Sequence, residues 1–368
     1  MFSNNATRYI DPNQTETDSE ILILTKHLLL SEKIILIFIT IFTITGNTIV
    51  LVVTWKERSL HQPNKYFIAC LAVADLLVGM FVAPLRLYLL KYPDYESAWL
   101  AAMSLHLCRF MVWIDTLVFT ASIYTLTFIS FDRYLKISKP FKYKSWMTTS
   151  TSLKVILLIW PISTGFATFA ATPNSGSRGI LFTADFCPFD ATKGFYTFLV
   201  TSAFFLPTIV ILVMYTLIFL AAHKLQKRIR NGTLGQILNN QHRQPALIQD
   251  LKVIRMLSVV VGVFILCWGP FFTWVLLLFY NPSVFEGDEN SLNHWYSVHM
   301  PNFVIVMLPL FNSLCNPIIY TCLDEKYKVA IKHLFKRILC RQLPRTRQPP
   351  NAVELLPPRR RELEKAND

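Results

Sequence analysis

Asp75, Asp115, Asp132 and Arg133 stand inside, or at the edge of, stretches otherwise too apolar to hold a charge. A carboxylate in hydrocarbon needs a cation, a set of hydrogen-bond donors or a proton. Ionisable groups at such depth mark functional sites. Asp115 precedes Arg133 by 18 residues, five helical turns or roughly 27 Å along one axis. One charge therefore sits in the outer third of a bilayer and the other near its inner face, as binding on one side and switching on the other require. Asn47, Ser122, Asn312, Ser313 and Asn316 add neutral polar groups at comparable depth, and interhelical hydrogen bonding is the plainer account of Asn47 and Ser313. Bond-making chemistry is not indicated. A membrane-embedded hydrolase needs a nucleophile and base at matched depth, and only scattered histidines such as His106 and His299 are available. No CxxC pair or His/Cys cluster points to a structural metal.

The elements that position these groups are apolar windows. The chain is 53% hydrophobic and only 16% charged, against about 25% charged in a soluble domain. Windows of about twenty residues, the length of a transmembrane helix, fall at 34–55, 66–90, 105–135, 151–172, 195–222, 251–279 and 297–321. The predicted fold is an all-α membrane protein, a seven-transmembrane helix bundle.

Charge orients it. Basic residues crowd the odd-to-even connections, among them Lys56, Arg58 and Lys65, then Lys136, Lys139, Lys142 and Lys144, then Lys224, Lys227, Arg228 and Arg230. Acidic residues such as Asp11, Glu16, Asp94, Glu96 and Glu286 lie opposite. Positive charge stays cytoplasmic, so the N-terminus is expected outside and the C-terminus inside. Because the net charge of +13 tracks the loops, it does not form a nucleic-acid-binding face. Asn5 and Asn13 head acceptor sequons on the outer segment. No cleaved signal peptide is read in the first thirty residues, so the first span is expected to direct insertion. Cys108 and Cys187 both face the oxidising side, where a bridge would persist. Cys70, Cys267, Cys315 and Cys322 read as packing residues. Cys340 follows a basic amphipathic stretch and suits reversible acylation.

Motifs recur along these spans in a fixed order: Gly46-Asn47, Leu71-Ala72-Val73-Ala74-Asp75, Cys108, Asp132-Arg133-Tyr134, Trp160, Pro207 and Tyr215, Phe264 through Trp268 to Pro270, and Asn316-Pro317-Ile318-Ile319-Tyr320. In this the chain resembles a rhodopsin-family (class A) G-protein-coupled receptor over about residues 32–340, most like the biogenic-amine branch. The resemblance implies an organisation: an extracellular glycosylated N-terminus (1–31), the bundle (32–322), an amphipathic helix 8 (323–340) and a disordered cytoplasmic tail (341–368). It implies that Arg133, held by Asp132 and by Asp250, locks the resting state until Tyr215 and Tyr320 capture it. Ile123, Pro207 and Phe264, with Trp268 above, resemble the packing relay. Asp75, Ser122, Asn312 and Asn316 match the family's sodium site, with no other cofactor, and a hard cation takes such oxygen ligands. Partners implied are a heterotrimeric G protein, a small extracellular ligand, the bilayer and arrestin. Thr346 is the single Ser or Thr of the tail, so phosphorylation-dependent arrestin recruitment through it is expected to be weak.

In amine-binding relatives the carboxylate at the place of Asp115 pairs with the ligand's ammonium. Phe119, Trp268, Phe271 and Phe272 would supply ring contacts. Against this, Leu199, Val200 and Ala203 stand where some members place hydroxyls, and Val306, Met307 and Leu310 where many have a tryptophan and a tyrosine. Arg86 is open to three readings: snorkelling to headgroups, pairing with Asp115 or a loop carboxylate, or binding an acidic ligand group. A zwitterionic, lipid or peptide ligand, or a constitutively active receptor, is the alternative. A retinal photoreceptor is excluded because no lysine lies between 297 and 321. No internal repeat indicates a transporter, and no filter signature a channel.

Overall fold

The computed structural model describes residues 12–57, 60, 63–90, 105–172, 175, 177, 192–230, 243–287 and 291–340. Seven helices in it are long and apolar enough to cross a membrane. They are α1 (Pro12–Lys56), α2 (Pro63–Leu77, a π turn Val78–Val82, then Ala83–Leu89), α3 (Leu105–Ser138), α4 (Thr149–Ala170), α5 (Lys193–Leu199, a π turn Val200–Phe205, then Leu206–Arg230), α6 (Arg243–Tyr280) and α7 (Leu292–Leu323). α8 (Glu325–Cys340) follows α7 after the single extended residue Asp324. A short helix, Pro140–Trp146, lies between α3 and α4. Among the described residues there is no strand.

α3 is the axial element: 78% of its apolar window is buried, against 22% for α4 at the periphery. The outward side chains are apolar too, with Leu157, Phe219 and Leu266 about 70% exposed, the reverse of a water-soluble surface. Both π turns stand just before a proline, Pro84 or Pro207. Proline has no N–H for the carbonyl four residues back, and its ring crowds that turn. The ladder widens instead, Ala83 N–H reaching Val78 O and Leu206 N–H reaching Thr201 O.

α1 begins far before the predicted position 34. Proline is favoured in a first helical turn, and neither Gly nor Pro occurs from Asn13 to Ser31 to stop the helix. The outer turns pack on α7, where Trp295 Nε1 donates to Thr25 Oγ1 at 3.1 Å. Much of the predicted N-terminal segment is thus helix. α5 likewise runs on to Arg230 and α6 starts at Arg243, so helix occupies much of the predicted loop. Lys65, predicted to be a loop charge, is instead 2% exposed on the first turns of α2.

Two glycines set the closest helix approaches. A Cβ on Gly46 would stand 3.0 Å from Pro317 on α7, and one on Gly79 2.9 Å from Ile44 Cγ1 on α1. Gly46→Leu and Gly79→Leu should each lower the thermal midpoint of the purified receptor by the equivalent of about 1–3 kcal/mol. Gly165→Ala, with nothing within 4 Å of the added carbon, should leave it nearly unchanged.

Candidate functional site

Asp115 on α3 is fully buried, and Phe119 lies one turn further in. With Val118, Ser122, Trp268 and Asn312 they line a cavity of about 10 Å³, room for the order of one water. Trp268 is the hub of the aromatic wall. Its ring centroid is 4.5 Å from Phe119, 5.6 Å from Phe272 and 5.9 Å from Phe271. Phe119 and Phe272 are 5.1 Å apart. Phe204 on α5, absent from the sequence reading, completes the cluster at 4.8 Å from Phe272. It faces inward because the π turn adds a residue to that turn; Pro207 was the only signal of it.

On α5, Leu199, Val200 and Ala203 are buried. Its hydroxyls are engaged elsewhere. Thr197 Oγ1 donates to Lys193 O at 2.7 Å and Ser202 Oγ to Phe198 O at 2.6 Å, and Thr201 is exposed. Val306, Met307 and Leu310 on α7 are buried.

Deeper in the bundle, Asp75 is 1% exposed and accepts from Asn316 Nδ2 at 2.8 Å. Asn47 Nδ2 donates to Thr43 O at 3.0 Å and Ser313 O at 3.2 Å, tying α1 to α7. Asn47 Oδ1, Asn312 Oδ1 and Asn316 Oδ1 are buried and accept nothing from the protein. Asp75 and Asn316 are thus joined, and Ser122 and Asn312 line the cavity under Asp115; carboxylate, amide and hydroxyl oxygens are the donor types a hard cation takes.

Between this level and the inner face, Ile123, Pro207 and Phe264 are buried, with Phe264 6.1 Å from Trp268 and 6.4 Å from Phe204. At the inner end of α3, Arg133 pairs with Asp132, each 1% exposed. Asp132 Oδ1 also accepts from Tyr143 Oη at 2.9 Å, a contact from the short helix Pro140–Trp146 that the sequence did not signal. Tyr134 is half-buried. Tyr215 Oη and Tyr320 Oη are buried and make no hydrogen bond to the protein. Asp250 lies on α6, but its side chain is outside the described residues.

Arg86 pairs with Glu32 on α1. Its Nη2 lies 2.8 Å and its Nε 2.9 Å from Glu32 Oε1, with side chains 15% and 9% exposed. None of the three readings of Arg86 named Glu32. Its sequence signal was a carboxylate two residues before the predicted first span. Cys108 is disulfide-bonded; Cys187 and Asn5, and the side chains of Asn13 and Cys340, lie outside the described residues.

Residues 46–320 match the model of the 7 transmembrane receptor (rhodopsin family). The chain belongs to that family. It is a multi-pass membrane receptor and not an enzyme. It is similar to trace amine-associated receptor 5 of Mus musculus, 29% identical over 302 residues, 81% of this chain and 82% of that protein. The same receptor of Rattus norvegicus is 28% identical. The alpha-1A adrenergic receptor of Homo sapiens is 28% identical over 332 residues, 82% of this chain and 67% of that one.

The Glu32–Arg86 pair yields a prediction about stability. Glu32→Gln and Arg86→Met should each destabilise the receptor, by less than the about 3–5 kcal/mol of a fully buried pair because some exposure remains. The double variant should regain most of the loss. Thermal unfolding of the four proteins closes the cycle, and simple additivity of the two losses would show that the pair is not coupled.

Proposed function

We propose that this protein is a plasma-membrane receptor with its N-terminus outside, which binds a small cationic amine at Asp115 and activates a heterotrimeric G protein. The observation that carries this is a fully buried carboxylate lining one cavity with the Phe119 and Trp268 rings, against which Phe271 and Phe272 pack. An ammonium there gains a charge partner and ring faces, each face contributing about 0.5–2 kcal/mol, partly offset by desolvation of both charges. The names of two relatives, a trace amine-associated receptor and an adrenergic receptor, support the ligand class.

The apolar face of α5 refines it. Leu199, Val200 and Ala203 offer nothing to hydroxyls on a ligand ring, so the amine's far end is apolar. Engagement of Glu32 by Arg86 counts against an acidic ligand group there. Ligand pressure on Trp268 passes through Phe264 of α6 against Ile123 on α3 and Pro207 on α5. The inner end of α6 swings out, Arg133 leaves Asp132, and Tyr215 and Tyr320 receive it. Sodium held at Asp75, Ser122, Asn312 and Asn316 would favour the resting packing. Arrestin engagement depends little on tail phosphorylation, with Thr346 alone available.

Asp115→Asn should weaken an amine agonist at least tenfold, about 1.4 kcal/mol, in radioligand displacement and nucleotide exchange alike. An unchanged curve in Asp115→Asn would point to a lipid or peptide ligand and remove the amine assignment. Replacing potassium by sodium should raise the thermal midpoint of the ligand-free receptor. Asp75→Asn should abolish that difference.

A further inference from the structure

Beneath the switch of α7, four helices meet at one aromatic ring. Tyr327, on the first turns of α8, is fully buried. Its hydroxyl is 2.8 Å from Thr54 Oγ1 on α1. The Thr54 proton is already given to Val50 O at 2.7 Å, so Tyr327 is the donor. Lys65 Nζ on α2 stands 4.6 Å from the ring centroid. Tyr320, the last residue of the Asn-Pro-Ile-Ile-Tyr motif, stacks on the same ring at 6.0 Å and 29°.

Lys65 is ion-paired to Asp324, the extended residue between α7 and α8, and their side chains are 2% and 4% exposed. The carboxylate divides its work. Oδ2 takes the ammonium, while Oδ1 accepts from Lys326 N at 3.0 Å and Tyr327 N at 3.4 Å, capping α8. Replacing such a pair by apolar residues is often neutral or stabilising, so cohesion alone is a weak reason for it. An ion pair differs from an apolar contact in being directional and in yielding two alternative positions, made or broken.

We infer that Lys65 and Asp324 are positioning residues that pin Tyr327, and through it Tyr320, in the resting arrangement, setting the receptor's ligand-independent activity. For Tyr320 to turn toward Arg133 it must leave the Tyr327 ring. That ring is held by Thr54 and Lys65, and Lys65 by Asp324. The inference rests on the receptor reading above but not on the amine, because it concerns the unliganded state.

The test uses full-length receptor in nanodiscs with a heterotrimeric G protein and no ligand. Lys65→Met and Asp324→Asn each strand a buried charge and should lower the thermal midpoint; asparagine still caps α8. The double variant Lys65→Met/Asp324→Asn should recover the midpoint, yet keep basal nucleotide exchange raised at least threefold. Lys65→Arg should preserve wild-type exchange. A purely structural pair would instead return both quantities together, and wild-type exchange in a stable double variant overturns the inference. Failure of every neutral variant to fold also overturns it, since the pair would then serve the fold and not the switch. A fluorine label on Cys322, free and exposed near the end of α7, reads the junction without G protein. A second resonance should grow in the double variant, and a single wild-type-like resonance counts against the inference. If the label responds while no receptor drives exchange, the coupling reading fails and the positioning role stands.

Discussion

Charge inside a low-dielectric bundle must be balanced within the protein, because no water is at hand to do it. That constraint organises this molecule from one face to the other. Near the outer side Arg86 is balanced by Glu32. At mid-depth Asp75 takes an amide donor from Asn316. At the inner side Arg133 is balanced by Asp132 and Lys65 by Asp324. The helices themselves are secured by apolar packing, glycine contacts and backbone ladders. What the polar groups add is a choice of register: Arg86–Glu32, Asn316–Asp75 and Lys65–Asp324 each join different elements, and Tyr143 joins Asp132 to the short helix, at points where an apolar contact would slide.

The spans and the motif residues were legible in the sequence because both are local properties. Twenty apolar residues in a row need no partner to be recognised, and Asp132-Arg133-Tyr134 is contiguous. Pro84 and Pro207 stand where a ladder must yield, but only the structure shows that it yields as a π turn, which brings Phe204 to Phe272. The start of α1 was missed because a charged helical turn and a charged loop have similar composition. The pairings of Arg86 with Glu32 and Lys65 with Asp324 were missed for a different reason. Their members are 54 and 259 residues apart, so their neighbourhood is a product of the fold. Lys65 illustrates the cost of loop-level charge counting: it was counted among the charges of a connection and is nonetheless buried.

The apolar α5 face and the engaged Arg86 together narrow what the outer cavity recognises. A site gains much discrimination from polar groups that must be matched and little from apolar walls that accept any methylene. Here Asp115 is the ionisable residue among those lining the cavity, with Ser122, Asn312 and Ser313 as neutral polar neighbours. On the amine reading proposed above, recognition by one charge and several rings would favour cationic amines as a class over fine discrimination among them.

The two inner ion pairs share a construction that bears on how a switch can be reversible. Asp132 gives one oxygen to Arg133 and the other to Tyr143 of the adjoining short helix. Asp324 gives one oxygen to Lys65 and the other to the first N–H groups of α8. When the cation leaves, each carboxylate is still anchored by its second contact and partly solvated by that donor. The penalty of a stranded buried charge is thereby reduced, and the oxygen stays aimed at the place the cation vacated. A carboxylate with only one contact would relax away and have to be found again. On the proposed switching, division of the two oxygens between a fixed donor and a movable cation would let the same buried pair break and re-form.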